Sequence, residues 1–146
     1  VENCIVSDIP SLLANSSFNN CIVTPVDVGL TAGRPVAGAV SITNNNFDLR
    51  DFLGSGSPSL WAAGASPLLT VTGNVFKFGA TGPKGSCPII QNMASSNIAS
   101  FDNNTYYIAA GAVFAKNFND GTTTVDRMFA QWQALGYDLN STRLDP

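Results

Sequence analysis

Asn104-Thr105-Tyr106-Tyr107-Ile108 repeats a pattern that occurs four more times in this chain. The other copies are Asn3-Cys4-Ile5-Val6, Asn20-Cys21-Ile22-Val23, Asn45-Asn46-Phe47-Asp48-Leu49 and Asn74-Val75-Phe76-Lys77-Phe78. Each opens on Asn, enters a short run of β-formers, and dissolves into Gly, Ser, Pro or Asn. Internal similarity at spacings of about 17 to 30 residues is the mark of a solenoid, in which each repeat buries its face against its neighbours.

Overlaying the copies on their Asn gives columns. Two positions on stand Ile5, Ile22, Phe47, Phe76 and Tyr106, all apolar or aromatic. Leu49, Phe78 and Ile108 make a second such column in the later three copies. Between them lie Val6, Val23, Asp48, Lys77 and Tyr107, a chemically mixed set. Side chains alternate along a strand, so the apolar columns are expected inside and the mixed one in solvent. The Asn column suits a bend, because Asn tolerates a positive φ better than other residues with a Cβ, and stacked Asn can hydrogen-bond as a ladder. Further strand-like runs, Val40 to Thr43, Leu68 to Thr72 and Ile98 to Phe101, precede the later bends. The first two bends are a residue shorter than the others.

Strand–Asn bend–strand units of this length resemble the right-handed parallel β-helix of the pectate-lyase superfamily. The tail adds to the likeness: Tyr106-Tyr107, Val113-Phe114, Gly121-Thr122-Thr123, the run Trp132-Gln133-Ala134-Leu135-Gly136-Tyr137-Asp138-Leu139-Asn140-Ser141, and Asp145-Pro146. These are similar to the closing segment of bacterial extracellular β-helix proteins. The expectation is an all-β right-handed parallel β-helix of about four to five coils with one short C-terminal capping helix. It would be a single domain over 1–146, coils to about 110 and a closing segment over 111–146, forming the C-terminal part of a longer chain.

The capping helix is expected between Thr124 and Gly136. Val125, Phe129, Trp132 and Leu135 fall at helical spacing, Thr124 is a candidate N-cap, and Gly136 a left-handed stop. Such an element would cover the open end of the stack, with Trp132 as a plug.

Composition agrees with an exterior setting. Only 12% of the 146 residues are charged and the net charge is −3, which argues against a nucleic-acid partner. No apolar run reaches the length of a membrane span. The chain has three Cys and no His. Cys4 and Cys21 hold equivalent places in successive copies, so a disulfide between them competes with a stack of buried thiols. Cys87 has no partner in sequence. A metal site is not expected, because His and Cys-x-x-Cys are both missing.

Superfamily members of this shape include polysaccharide lyases and glycoside hydrolases. For a lyase, the resemblance implies a basic residue taking a proton beside a uronate, often with Ca²⁺. The only charged constellation that could serve is Lys77 and Asp48 on adjacent copies, with Arg50 and Asp51 nearby. An exposed ion pair explains it better, since Asp48 would favour the charged form of Lys77. Hydrolases use paired carboxylates, and no such pair recurs here. A Ser–His–Asp device needs a His this chain lacks.

Three function classes compete. The first is an extracellular or cell-surface module with a structural or polysaccharide-binding role, without a cofactor, with Trp61 and Tyr107 as candidate sugar-stacking aromatics. The second is part of a lyase or hydrolase acting on acidic glycans, the only reading that brings in Ca²⁺. The third is a phage or surface spike element, which would be a homotrimer. The lack of a visible catalytic set favours the first.

Overall fold

The computed structural model describes residues 5–7, 18–19, 22–24, 38–49, 60–61, 67–78 and 88–145. In chain order the strands are β1 (Ile5–Ser7), β2 (Phe18–Asn19), β3 (Ile22–Thr24), β4 (Gly38–Thr43), β5 (Asn46–Leu49), β6 (Leu60–Trp61) and β7 (Pro67–Thr72). They continue as β8 (Val75–Phe78), β9 (Ile90–Gln91), β10 (Ile98–Asp102), β11 (Thr105–Tyr107), β12 (Val113–Asn119), β13 (Thr124–Met128) and, after helix α1 (Phe129–Ala134), β14 (Thr142–Leu144). They form a six-stranded sheet, β1-β3-β5-β8-β11-β14, and two four-stranded sheets, β10-β7-β4-β2 and β13-β12-β9-β6.

This corrects the expected architecture. The strands make three small sheets, not one solenoid, and a right-handed parallel β-helix of four to five coils is not what they show. The third sheet mixes orientations, because β13 runs antiparallel to β12 while β12 runs parallel to β9. Turn chemistry explains the reversal. The Asp120 carboxylate accepts from the backbone N–H groups of Thr122 and Thr123, both at 2.9 Å, and Gly121 takes φ +97°. Asp-Gly is a strong hairpin signal.

The same hairpin corrects the helix. Thr122-Thr123-Thr124-Val125 is a β-branched run, which loses χ1 freedom in a helix and packs well on a sheet. Residues 124–128 therefore pair with β12, and the helix is only Phe129–Ala134. Its start is set by Gln131, whose Oε1 accepts from the Met128 N–H at 2.9 Å. Gly136, at φ +93°, follows it in the left-handed conformation. The anticipated stripe splits: Trp132 is fully buried and Phe129 packs on the core, whereas Val125 and Leu135 stay 39% and 38% exposed.

Period-two alternation orders the second sheet. Ile42, Val71 and Phe101 share one register position and are buried, while Ser41, Thr70 and Ser100 share the preceding one and stay half-buried. In the six-stranded sheet Phe47, Phe76 and Tyr106 are in register and stack, with ring centroids 4.9 and 5.3 Å apart and planes within 16° and 13°. Their extension to Ile5 and Ile22 needs correction. Val23 pairs with Phe47 and Val6 with Val23, so the stack's register runs through the valines. Asn19 is in register with Thr43 and Ile22 with Asn46, so the step across this bend equals that of the next copy, and overlaying the copies on Asn20 and Asn45 misplaces them by one residue. A shift of one exchanges the faces of a strand. Side chains from all three sheets meet in a single core that also takes in Leu69, Ile89, Ile90, Phe114, Phe118 and Trp132.

The bends divide their labour in an unexpected way. Positive φ falls on Asn44, Gly73 and Asn103, not on the repeated Asn that follows each of them. Asn45, Asn74 and Asn104 are instead buried. The Asn45 Nδ2 donates to Asn74 Oδ1 at 2.9 Å, and Asn74 Nδ2 to Asn104 Oδ1 at 3.1 Å. The same two oxygens accept the backbone N–H of Asn45 and Asn74, at 3.0 and 2.9 Å. Gly73 is required where it stands: a Cβ there would lie 2.3 Å from Asn44 Oδ1, at φ +69°. Gly73→Ala should cost roughly 1–2 kcal/mol from the left-handed backbone alone, plus the shift of Asn44. Urea unfolding checks this, and an unchanged midpoint would refute it.

Candidate functional site

Three places concentrate polar chemistry among the described residues. The first is buried. Asp138 has φ +51° and is 1% exposed. Its carboxylate accepts from Trp132 Nε1 at 2.7 Å, Asn104 Nδ2 at 3.0 Å, Tyr106 Oη at 3.0 and 3.1 Å, and Ser141 Oγ. Asp138 thus continues the amide row by one step, with a group that only accepts when ionised. Burial raises its carboxyl above the ordinary 3.8, and hydrogen bonds led by that from Ser141 pull the other way. Tyr106 is pushed well above 10, first by burial and then by the Asp138 charge. This cluster fixes the closing segment to the core; its carboxylate and three of its four donors are buried, Ser141 being half-buried.

The second place is a groove of about 470 Å³ on the third sheet, lined by Asn92, Met93, Ala94, Asn97, Asn117, Asn119 and Thr124. Asn92 follows β9 and Asn117 lies within the neighbouring β12, both in the left-handed conformation, at φ +51° and +50°. The Asn117 Nδ2 donates to Asn92 Oδ1 at 3.0 Å, and the Asn117 N–H donates to Asp126 Oδ1 at 2.8 Å. Both amides are exposed, so Asn92 Nδ2 and Asn117 Oδ1 face solvent as a donor and an acceptor. Asn119 Oδ1 accepts from the Gly121 N–H at 2.9 Å. Among the described residues the lining carries no ionisable group.

The third is a groove of about 300 Å³ between β10 and residues 136–140. Asp102 lies in it, its two oxygens accepting from the backbone and side chain of Asn140 at 2.8 and 2.7 Å. These bonds, the side-chain one foremost, hold the Asp102 carboxyl below its ordinary range. Asp120 stands lower still, because the N–H groups of Thr123 and Thr122 favour its anion, and it pairs with Arg127.

The residues singled out by sequence are not gathered into any of these. Lys77 is in register with Asp48 on one side and Tyr107 on the other. Its Nζ lies 5.8 Å from the centroid of the Tyr107 ring, a cation–π contact on the six-stranded sheet that lines neither groove. Trp61 is in β6, in register with Gln91, which is in register with Lys116. That position leads directly toward Asn92 and Asn117. Arg50, Asp51, Cys4, Cys21 and Cys87 lie outside the described residues.

No protein-family profile matches this chain, and neither does any curated protein or solved structure. The likeness to the pectate-lyase superfamily rests on the residues quoted for it, and the fold is not tied to that group.

Asp138, the paired amides Asn92 and Asn117, and the Asp102–Asn140 contact escape sequence reasoning. Asp138 and Asn140 stand inside the quoted tail, where they read as fold markers. The signal for Asp138 was present: an Asp enclosed by Trp132, Tyr137 and Leu139 must find donors if it is buried.

Proposed function

We propose that this chain is a non-catalytic glycan-binding module of an extracellular or cell-surface protein, and that it holds neutral sugar hydroxyls in the amide-lined groove. The observation that carries this reading is the groove's lining, in which the described residues include four Asn and no ionisable side chain. A carboxamide offers both a donor and an acceptor, which matches a sugar hydroxyl that does the same. The low charge of the chain supports the same reading, and so does the register of Trp61 with the strand leading into the groove.

Chemistry on the glycan has less support. Among the described residues one groove holds a single carboxylate and the other none, whereas glycoside hydrolysis calls for two acting across the bond. Lys77, the candidate lyase base, is engaged with Tyr107 outside both.

The experiment is affinity electrophoresis and calorimetry of the chain against neutral glucans, pectate, alginate and chondroitin, with reducing ends and unsaturated products followed in parallel. A neutral glucan should bind without being cut. Asn117→Ala should weaken it about tenfold, the equivalent of one net hydrogen bond. Binding that survives both Asn117→Ala and Asn92→Ala would remove the groove from the account, and turnover abolished by Lys77→Ala would replace the reading with a lyase.

A further inference from the structure

The groove between β10 and residues 136–140 has a mixed lining. Ile98, Tyr137 and Leu139 are apolar, with Leu139 65% exposed, while Ser100, Asp102 and Asn140 are polar. Asp102 makes no ion pair among the described residues, and neither does Asp138 on the covering segment. The arginines near this end are committed elsewhere, Arg127 to Asp120 and Arg143 to Asp145. A carboxylate with no ion pair among the described residues, in a groove also lined by apolar side chains, suits a cation carried on methylenes.

The contacts narrow the class of cation. Asn140 already occupies one position on each Asp102 oxygen. A planar guanidinium needs both oxygens side by side for its two parallel bonds, whereas an ammonium needs only one open position. A divalent metal would want several oxygen ligands, and no such set of acidic groups occurs among the described residues. We infer that this groove binds a primary alkylammonium on an apolar stem, such as a lysine side chain. The ammonium meets Asp102, and the methylenes lie against Leu139 and Tyr137. This site is separate from the amide groove and stands or falls without it.

The test is an amide-resolved NMR titration of the intact chain at low salt. N-acetyl-lysine methylamide and n-butylammonium are the probes, with N-acetyl-norleucine methylamide as the neutral control and the arginine analogue for selectivity. Saturable shifts are expected at Ser100, Asp102, Gly136, Leu139 and Asn140 with both amines, and none with norleucine. Arginine should bind more weakly than lysine. Asp102→Asn should weaken binding about tenfold, as loss of a charge-assisted contact implies. If Asp102→Asn also disturbs Tyr106 and Asp138, Leu139→Ser decides instead, because it leaves the Asp102–Asn140 bonds in place and should weaken binding about threefold. Equal binding by norleucine, no saturation with either amine, or full affinity in Leu139→Ser would overturn the inference.

Discussion

Asp138→Ala should lower stability by roughly 3–5 kcal/mol, because it strips a common acceptor from a buried group of donors. Trp132 Nε1–H, Tyr106 Oη–H and Asn104 Nδ2–H all point at this carboxylate, and none can turn to water without opening the core. Ala adds a second cost, since position 138 has φ +51°. The melting temperature should fall on the order of 10 °C. A fall of only a degree or two would mean that the carboxylate is not what holds the closing segment.

Asp138→Asn separates charge from shape, as Asn tolerates the same backbone conformation. Burial places the folded-state value of Asp138 above its unfolded one. What the group contributes is therefore fully present below about pH 4 and is lost as pH rises through the folded value. The stability gap between the parent and Asp138→Asn should be widest in acid and narrow toward neutrality. Denaturant titrations across that range check the sign. A gap that widens with pH would show that the four donors outweigh burial.

Phe76→Ala should cost a comparable 3–5 kcal/mol. Phe76 is the middle ring of a three-ring stack, covered on one face by Phe47 and on the other by Tyr106, and it is 1% exposed. Removing it leaves both neighbours facing a void that a packed sheet cannot readily close. Val75→Ala on the same strand, at a half-buried position, is the natural comparison and should cost much less. Similar midpoints for the two variants would contradict the assignment of Phe76 to the core.

The residues explain why some of this was legible and some was not. Phe47, Phe76 and Tyr106 keep step with a repeated Asn, and that offset alone puts three rings in one stack. The offset misleads at Ile5 and Ile22, where the Asn chosen for the overlay is one residue out of step with Asn45, and Val6 and Val23 come into line instead. At Thr124 a helical spacing of apolar residues coincided with a β-branched run after Asp120-Gly121. The hairpin prevailed, because its pairing with β12 satisfies the backbone of residues 124–128. That one reversal also defeats the expected all-parallel arrangement. The grooves were hidden for a different reason. Asn92 meets Asn117, and Asp102 meets Asn140, only through tertiary placement at separations of 25 and 38 residues. No local pattern announces such contacts.

The buried amides have a direction. Asn45 gives its hydrogen to Asn74, Asn74 to Asn104, and Asn104 to a carboxylate that has none to pass on. Every interior member presents the same two ends to its neighbours. A duplicated stretch of about 30 residues between Asn74 and Asn104 would therefore find a donor behind it and an acceptor ahead, both of the kind already there. The terminus has no such freedom: a second Asp138 in the interior would leave two acceptors face to face. An added amide is therefore accommodated within this row, and not beyond its last member.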